Sequence, residues 1–275
     1  MHWIWKVVLF FGVFYLALAA ALYLLQRKMM FAPDRSYVSP AKVNLPGLQE
    51  VVLTSRGGHR LVSWYLPAKA GQPTVLFFHG NGGNVANREE KFRQLHARGL
   101  GVFMLGYRGF GGSEGAPSEA AFIADARLLY DHALKMGLAP DNIVIYGESI
   151  GTSVAVQLAA DVSSLAVILE APMYSVLSIA EARYPYFPVR TFLRDKFETN
   201  LFIKDVRQPL LVVHGTDDEI IPLASGRRLF EAANAPKRFF EVQGGGHNNL
   251  YDFPIVDEMV AFLQDEVTPI KSLVD

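Results

Sequence analysis

The stretch Asn142-Ile143-Val144-Ile145-Tyr146-Gly147-Glu148-Ser149-Ile150-Gly151 decides the fold. Its continuous apolar run has the length and character of a strand buried on both faces. A G-x-S-x-G pattern comes directly after it. The small residues Thr152, Ser153, Ala155, Ala159 and Ala160 come next and suit a closely packed helix. Strand, tight turn and helix are the setting that a nucleophilic serine requires. The flanking glycines fit a turn that leaves no room for side chains. Ser149 then stands at a helix N-terminus, where the dipole favours developing negative charge. Read alone, the same serine would also serve as an ordinary helix cap.

Outward from this stretch, short apolar runs alternate with longer mixed segments. The runs are TVLFFHG (74–80), LGVFMLGYRG (100–109), LAVILEAP (165–172), PLLVVHG (209–215) and KRFFEVQG (237–244). Between them, residues 84–98, 118–136, 149–160, 222–233 and 253–266 carry helical spacing, and Pro222 is placed as a first-turn proline. EVVLTSRGGHRLVSWYLP (50–67) reads as a hairpin turning at Gly57-Gly58. This alternation predicts an α/β fold: a doubly wound, mostly parallel sheet. Functional groups then belong in loops at the carboxyl ends of the strands.

Strand ends supply the partners that a serine nucleophile needs. A hydroxyl is a weak nucleophile until a base takes its proton. Among the seven histidines, His2 precedes the apolar N-terminal run, His59 lies in the hairpin, and His96 and His132 lie within helices. His79 and His214 each end a strand before a glycine and read as fixed parts of the sheet edge. His247 remains, in the glycine-rich loop 244–249 after the last strand. An imidazole base needs a carboxylate to fix its tautomer. Asp217, Asp218 and Glu219 come after one strand end; Asp218 is the choice, Asp217 the fallback, and spacing leaves Glu219 open. These acids would also suit the first turn of the next helix. For an oxyanion, the turn Asn81-Gly82-Gly83-Asn84 can offer the Asn81 N–H, and Ile150 offers the N–H after the nucleophile.

The 275 residues include a 19-residue run, 7–25, without a charged, Asn, Gln or Pro side chain. As a helix it would span about 28 Å, close to a bilayer core. Trp3, Trp5 and Tyr23 sit near its ends, and Arg27 and Lys28 close it. A cleaved secretory signal is the alternative, with Ala17-Leu18-Ala19 resembling a cleavage site, but the run is long for one. The expected division is a membrane anchor at 1–30, a linker at 31–48 punctuated by Pro33, Pro40, Pro46 and Gly47, and one domain at 49–275. A net charge of −1 argues against a nucleic-acid partner. No cysteine is present, which excludes disulfides, thiolate metal sites and a cysteine nucleophile. No H-E-x-x-H motif or Cys/His cluster exists, so neither a metal nor another cofactor is expected. The loop Gly109-Phe110-Gly111-Gly112 lacks a succeeding Gly-Lys-Ser/Thr and is expected to shape a pocket floor rather than bind phosphate.

Together, HGNGGN (79–84), GYRGFGGSEG (106–115) with Pro117-Ser118-Glu119, the serine turn and HGTDDEIIP (214–222) resemble the α/β-hydrolase superfamily. Within it they look most like the membrane-anchored bud-emergence-type serine hydrolases, a lineage similar to known protein depalmitoylases. The resemblance covers residues 45–265. It implies Ser149, Asp218 and His247 as nucleophile, acid and base, with Asn81 and Ile150 at the oxyanion positions. It does not carry over a substrate.

Between Pro172 and Pro209 the alternation breaks. This insertion, about 173–208, is rich in aromatic and basic residues and reads as a small helical cap over Ser149. Tyr174, Tyr184 and Phe187 would line an apolar acyl pocket, and the basic residues could face anionic headgroups. Equally, the aromatics could simply pack the cap onto the domain. The reading is a membrane-tethered serine hydrolase acting on an acyl ester or thioester, its substrate a small molecule, a lipid or an acylated protein. An aminopeptidase or amidase of the same fold, or a non-catalytic membrane interaction module, stands as the alternative.

Overall fold

A computed structural model describes residues 2–267. The last residues of the expected domain, 268–275, and residue 1 of the expected anchor lie outside the described residues.

The strands are β1 (Gln49–Thr54), β2 (Arg60–Leu66), β3 (Thr74–Phe78), β4 (Gly101–Met104), β5 (Ile143–Glu148), β6 (Ala166–Glu170), β7 (Leu210–Gly215) and β8 (Lys237–Val242). They form one sheet in the order β8-β7-β6-β5-β3-β4-β2-β1. Only β2 runs antiparallel to its neighbours; every other adjacent pair is parallel. The chain leaves β3 for β4 on one side, and β5 then pairs on the other. The strand order therefore reverses at β3, which is where such sheets open a crevice at their carboxyl edge.

Every residue of β3, β4, β6 and β7 is buried. Alternate side chains go to opposite faces, and the helices divide accordingly. Leu76, Phe78, Ile145 and Leu169 pack with Phe122, Val154 and Leu229 of α3 (Glu119–Lys135), α4 (Gly151–Ala159) and α8 (Leu223–Ala232). Phe77, Val144 and Ile168 pack with Phe92 and Phe262 of α2 (Glu89–Ala97) and α9 (Ile255–Phe262) on the other face. The continuous apolar runs result from this double burial. Ser118 caps α3 by accepting from the Ala121 N–H at 3.2 Å. Pro222 precedes α8 as its cap, with ψ 137°, rather than standing inside the first turn.

Helix α1 (His2–Met30) is continuous and leaves its apolar residues exposed along most of its length. The segment 31–35, beyond its C-terminus, is pinned to the domain. Phe31 is buried against Phe122 and Phe197. Ala32 and Pro33 pair in parallel with Gly82 and Gly83, and the Asn81 side chain donates to the Met30 carbonyl at 2.7 Å. The Gly111 and Gly112 N–H groups donate to the carbonyls of Asp34 and Arg35, at 2.8 and 3.2 Å. The glycine loop 109–112 thus holds the segment leaving α1. Both glycine-rich loops can be gripped this way because their bare backbone admits close approach.

The insertion holds three short helices, α5 (Val176–Arg183), α6 (Val189–Phe192) and α7 (Thr199–Phe202). It lies along the C-terminal half of α1. Tyr15 stacks on Phe187 with ring centroids 5.2 Å apart, and its hydroxyl donates to the Tyr186 carbonyl. Arg27 forms a two-pronged ion pair with the buried Asp195, at 2.6 and 2.9 Å.

Candidate active site

The turn between β5 and α4 is as tight as its glycines imply. A Cβ on Gly151 would lie 2.0 Å from the Phe78 carbonyl oxygen, and one on Gly147 would lie 2.5 Å from that of Gly151. Neither position admits a side chain. Ser149 itself has φ +54°, the left-handed region that an L residue occupies at a cost of about 1–3 kcal/mol. The surrounding bonds enforce it: its N–H donates to the Glu170 carbonyl at 2.9 Å, and its carbonyl accepts from the Thr152 N–H and hydroxyl. The serine Oγ is lifted to the carboxyl edge of the sheet.

There it meets His247. The His247 Nε2 is 3.1 Å from Ser149 Oγ, and its Nδ1 is 2.8 Å from Asp218 Oδ2. Of the three successive acids, Asp218 alone is buried; Asp217 and Glu219 are exposed. Asp218 Oδ1 accepts the N–H groups of Ile220 and Ile221, at 2.9 and 2.7 Å. His214 donates its Nε2–H to the Ile221 carbonyl at 2.9 Å and stands 3.4 Å from Asp218 Oδ2. Burial pushes the Asp218 carboxyl up, but hydrogen bonds from His214, His247 and Ile221 outweigh it and hold it well below the usual range. The carboxylate is therefore fixed in place and charged at neutral pH. His214, read from sequence as part of the sheet edge, orients it. The other strand-end histidine, His79, is fully buried with its Nδ1–H on the Gly80 carbonyl, and burial lowers its pKa to about 3. It is a neutral packing group beside Tyr107 and Phe110.

The backbone of Asn81 comes after β3 and that of Ile150 opens α4, at the adjacent ends of paired strands. Among the described residues, neither N–H donates to a backbone carbonyl outside the helices and strands. The loop carrying Asn81 is held by the α1 exit segment on one side and by Arg88 on the other. Arg88 donates to the Gly82 carbonyl at 2.7 Å and to Glu148 Oε1 at 3.1 Å, so one guanidinium ties this loop to the serine turn.

Sequence reasoning missed the charge cluster beneath the serine. Lys91 lies between two glutamates, 3.0 Å from Glu148 Oε2 and 2.9 Å from both oxygens of Glu170. Tyr146 donates its hydroxyl to Glu170. Burial alone would raise the Glu148 carboxyl, but Lys91 and Arg88 bring it well below its ordinary value; burial keeps Glu170 above its own. A signal was present: Glu148 and Glu170 end adjacent apolar strands and are register partners. A buried acid beside a half-buried one demands a cation. Lys91→Met is expected to cost about 3–5 kcal/mol by leaving the buried Glu170 without a cation, Glu148 keeping Arg88. A denaturant midpoint within error of the parent's would contradict this account.

The cap residues named from sequence fall in two places. Tyr184 and Phe187 line a groove against α1, and Ser149 is not among the residues lining it. Tyr174 sits under the Arg228 guanidinium, 3.7 Å away, with its N–H on Ser225 Oγ.

Comparison with known proteins bears on the family and the fold. A family described as "Serine aminopeptidase, S33" matches residues 70–198. An uncharacterized protein of Mycobacterium tuberculosis is 37% identical over 227 residues, covering 82% of this chain and 81% of that protein. The alpha/beta hydrolase domain-containing protein WAV2 of Arabidopsis thaliana is 32% identical over 268 residues, covering 86% of each. In structure, an alpha-beta hydrolase from Vibrio vulnificus superimposes with a TM-score of 0.66 at 24% identity, over 79% of this chain and 81% of that one. The chain belongs to the α/β-hydrolase family, and its general activity is that of a hydrolase.

Proposed function

We propose that this protein is a membrane-anchored serine hydrolase that cleaves an acyl ester or thioester through an acyl-enzyme. The carrying observation is the unbroken line Ser149 Oγ, His247 Nε2, His247 Nδ1 and Asp218 Oδ2, with separations of 3.1 and 2.8 Å across its two hydrogen bonds. Ser149 Oγ attacks the acyl carbonyl carbon while His247 Nε2 takes its proton. Asp218 keeps the imidazole in the Nδ1–H tautomer and stabilises its charged form. The N–H groups of Asn81 and Ile150 receive the oxyanion; one such donor is typically worth about 100- to 1,000-fold in rate. His247 then returns the proton to the departing alcohol or thiol. Water, deprotonated by the same imidazole, cleaves the acyl–serine bond and releases the acid. The anchor is α1, whose length and exposed apolar surface suit a bilayer. The substrate under this reading is a small-molecule or lipid acyl ester or an acylated protein.

A second reading, an aminopeptidase or amidase, is favoured by the description of the matching family. Parallel assays of the full chain in detergent separate the two. Acyl esters and thioesters of graded chain length are expected to be turned over at least tenfold faster than aminoacyl amides, and the opposite ranking would assign the amidase. A fluorophosphonate probe is expected to label the folded wild type at Ser149. Failure to label would leave only a non-catalytic module of this fold.

A further inference from the structure

Apart from the catalytic residues, a half-open groove of about 800 Å³ runs between the C-terminal half of α1 and the cap. Tyr15, Ala19 and Tyr23 form part of one wall; Ala180, Tyr184 and Phe187 form part of the other. Its size falls in the range of small-molecule sites, about 300–1,000 Å³. Both ends are fastened. The Tyr15–Phe187 stack holds one. At the other, Gln26 donates to the Phe192 carbonyl and accepts from the Arg194 N–H. The walls therefore keep their spacing without a filler of their own.

The medium decides the occupant. Leu16 and Leu24, on the same half of α1, are 67% and 74% exposed. A surface this apolar belongs in hydrocarbon, so the groove opens to the same medium. An unfilled groove there would forfeit dispersion contacts along its whole lining. Water would find too few polar partners to occupy it. A hydrocarbon chain satisfies both conditions. The lining also holds one charged residue, Arg183. Arg27 pairs with Asp195 and Arg190 with Glu181, whereas among the described residues no carboxylate pairs with Arg183. A guanidinium left in this way matches a phosphate, which it can bind in two-pronged fashion.

We propose that the groove between α1 and the cap binds one acyl chain of a bilayer phospholipid, whose phosphate is met by Arg183. The proposal rests on the reading of α1 as a membrane anchor and is independent of hydrolysis at Ser149.

The test uses the full chain carrying Ser149→Ala, so that turnover plays no part. The protein is reconstituted in phosphatidylglycerol vesicles, extracted in mild detergent and weighed by native mass spectrometry. A single phosphatidylglycerol adduct is expected. Ala19→Trp and Ala180→Trp, which fill the groove from opposite walls, should each lower its occupancy at least fivefold, and Arg183→Gln should lower it severalfold. Ala19 lies on α1, outside the hydrolase sheet and its helices, so its variant keeps the test sound if Ala180→Trp misfolds. Absence of the adduct, or equal adduct in the tryptophan variants, overturns the proposal. So does a dimer mass lost in those variants, which would make a second copy of the chain the occupant. Flotation with the vesicles separates the two readings: a chain that fails to float defeats the anchor and this site together, while a floating chain without adduct defeats the site alone.

Discussion

Ser149→Ala is expected to lower kcat for an acyl ester by about a million-fold while leaving the fold intact. The size of the loss stems from the geometry. The hydroxyl is the one nucleophile presented to His247 Nε2, and the left-handed backbone at 149 holds it there at an energetic cost. Alanine keeps the same backbone bonds to Glu170 and Thr152, so the thermal midpoint should stay near the parent's. It cannot accept the acyl group, and the remaining catalysis comes from the oxyanion donors and from binding. Ester hydrolysis unchanged in the folded variant would remove Ser149 from the mechanism altogether.

Asp218→Asn should be the next most damaging change, with kcat falling by about 10,000-fold. The surroundings of the carboxylate explain why an isosteric amide fails. Oδ1 accepts two backbone N–H groups, so the amide oxygen must occupy that position. The amide nitrogen is then forced to the place of Oδ2, facing the His247 Nδ1. A donor there makes Nδ1 the acceptor and moves the imidazole proton to Nε2. His247 then points an N–H at Ser149 and cannot take its proton. The same nitrogen also faces the Nε2–H of His214, so donor opposes donor inside a buried pocket. The expected signature is a loss in kcat with KM little changed, because the acid touches the base and not the substrate. A variant within tenfold of the parent would mean that another group orients His247. Replacing Asp217 or Glu219, both exposed, should leave the rate near that of the parent.

Much of this site was legible in the sequence, because doubly wound sheets concentrate function at strand ends and the chain marks those ends clearly. Ser149 sits between Gly147 and Gly151 after an apolar run, and His247 comes after Gly244–Gly246 beyond the last strand, so their positions in the fold can be argued from pattern. The choice among Asp217, Asp218 and Glu219 was weaker, since burial separates them and three adjacent acids carry no burial signal. For His214 the sequence supports only a fixed place at the sheet edge, because a histidine ending a strand before a glycine gives no hint of what its ring faces. The Lys91 cluster leaves no such mark, because a lysine in a helix ordinarily reads as solvated. The break in alternation after Pro172 is legible in the sequence, but the contact of the cap with α1 is not. Its aromatics have no regular period, and nothing in the composition pairs Tyr15 with Phe187, far along the chain. Likewise, the two-residue ladder between Ala32–Pro33 and Gly82–Gly83 is too short to leave a periodic trace.

That ladder bears on how far the enzyme can be trimmed. The residues leaving the apolar helix form a short strand that clasps the loop bearing Asn81, and Phe31 is sealed among the core aromatics. A soluble fragment that keeps this brace should therefore begin no later than Met30. Starting it at Gln49, where the regular sheet begins, would strip away the brace and loosen the loop bearing Asn81, one of the two amides proposed to receive the oxyanion.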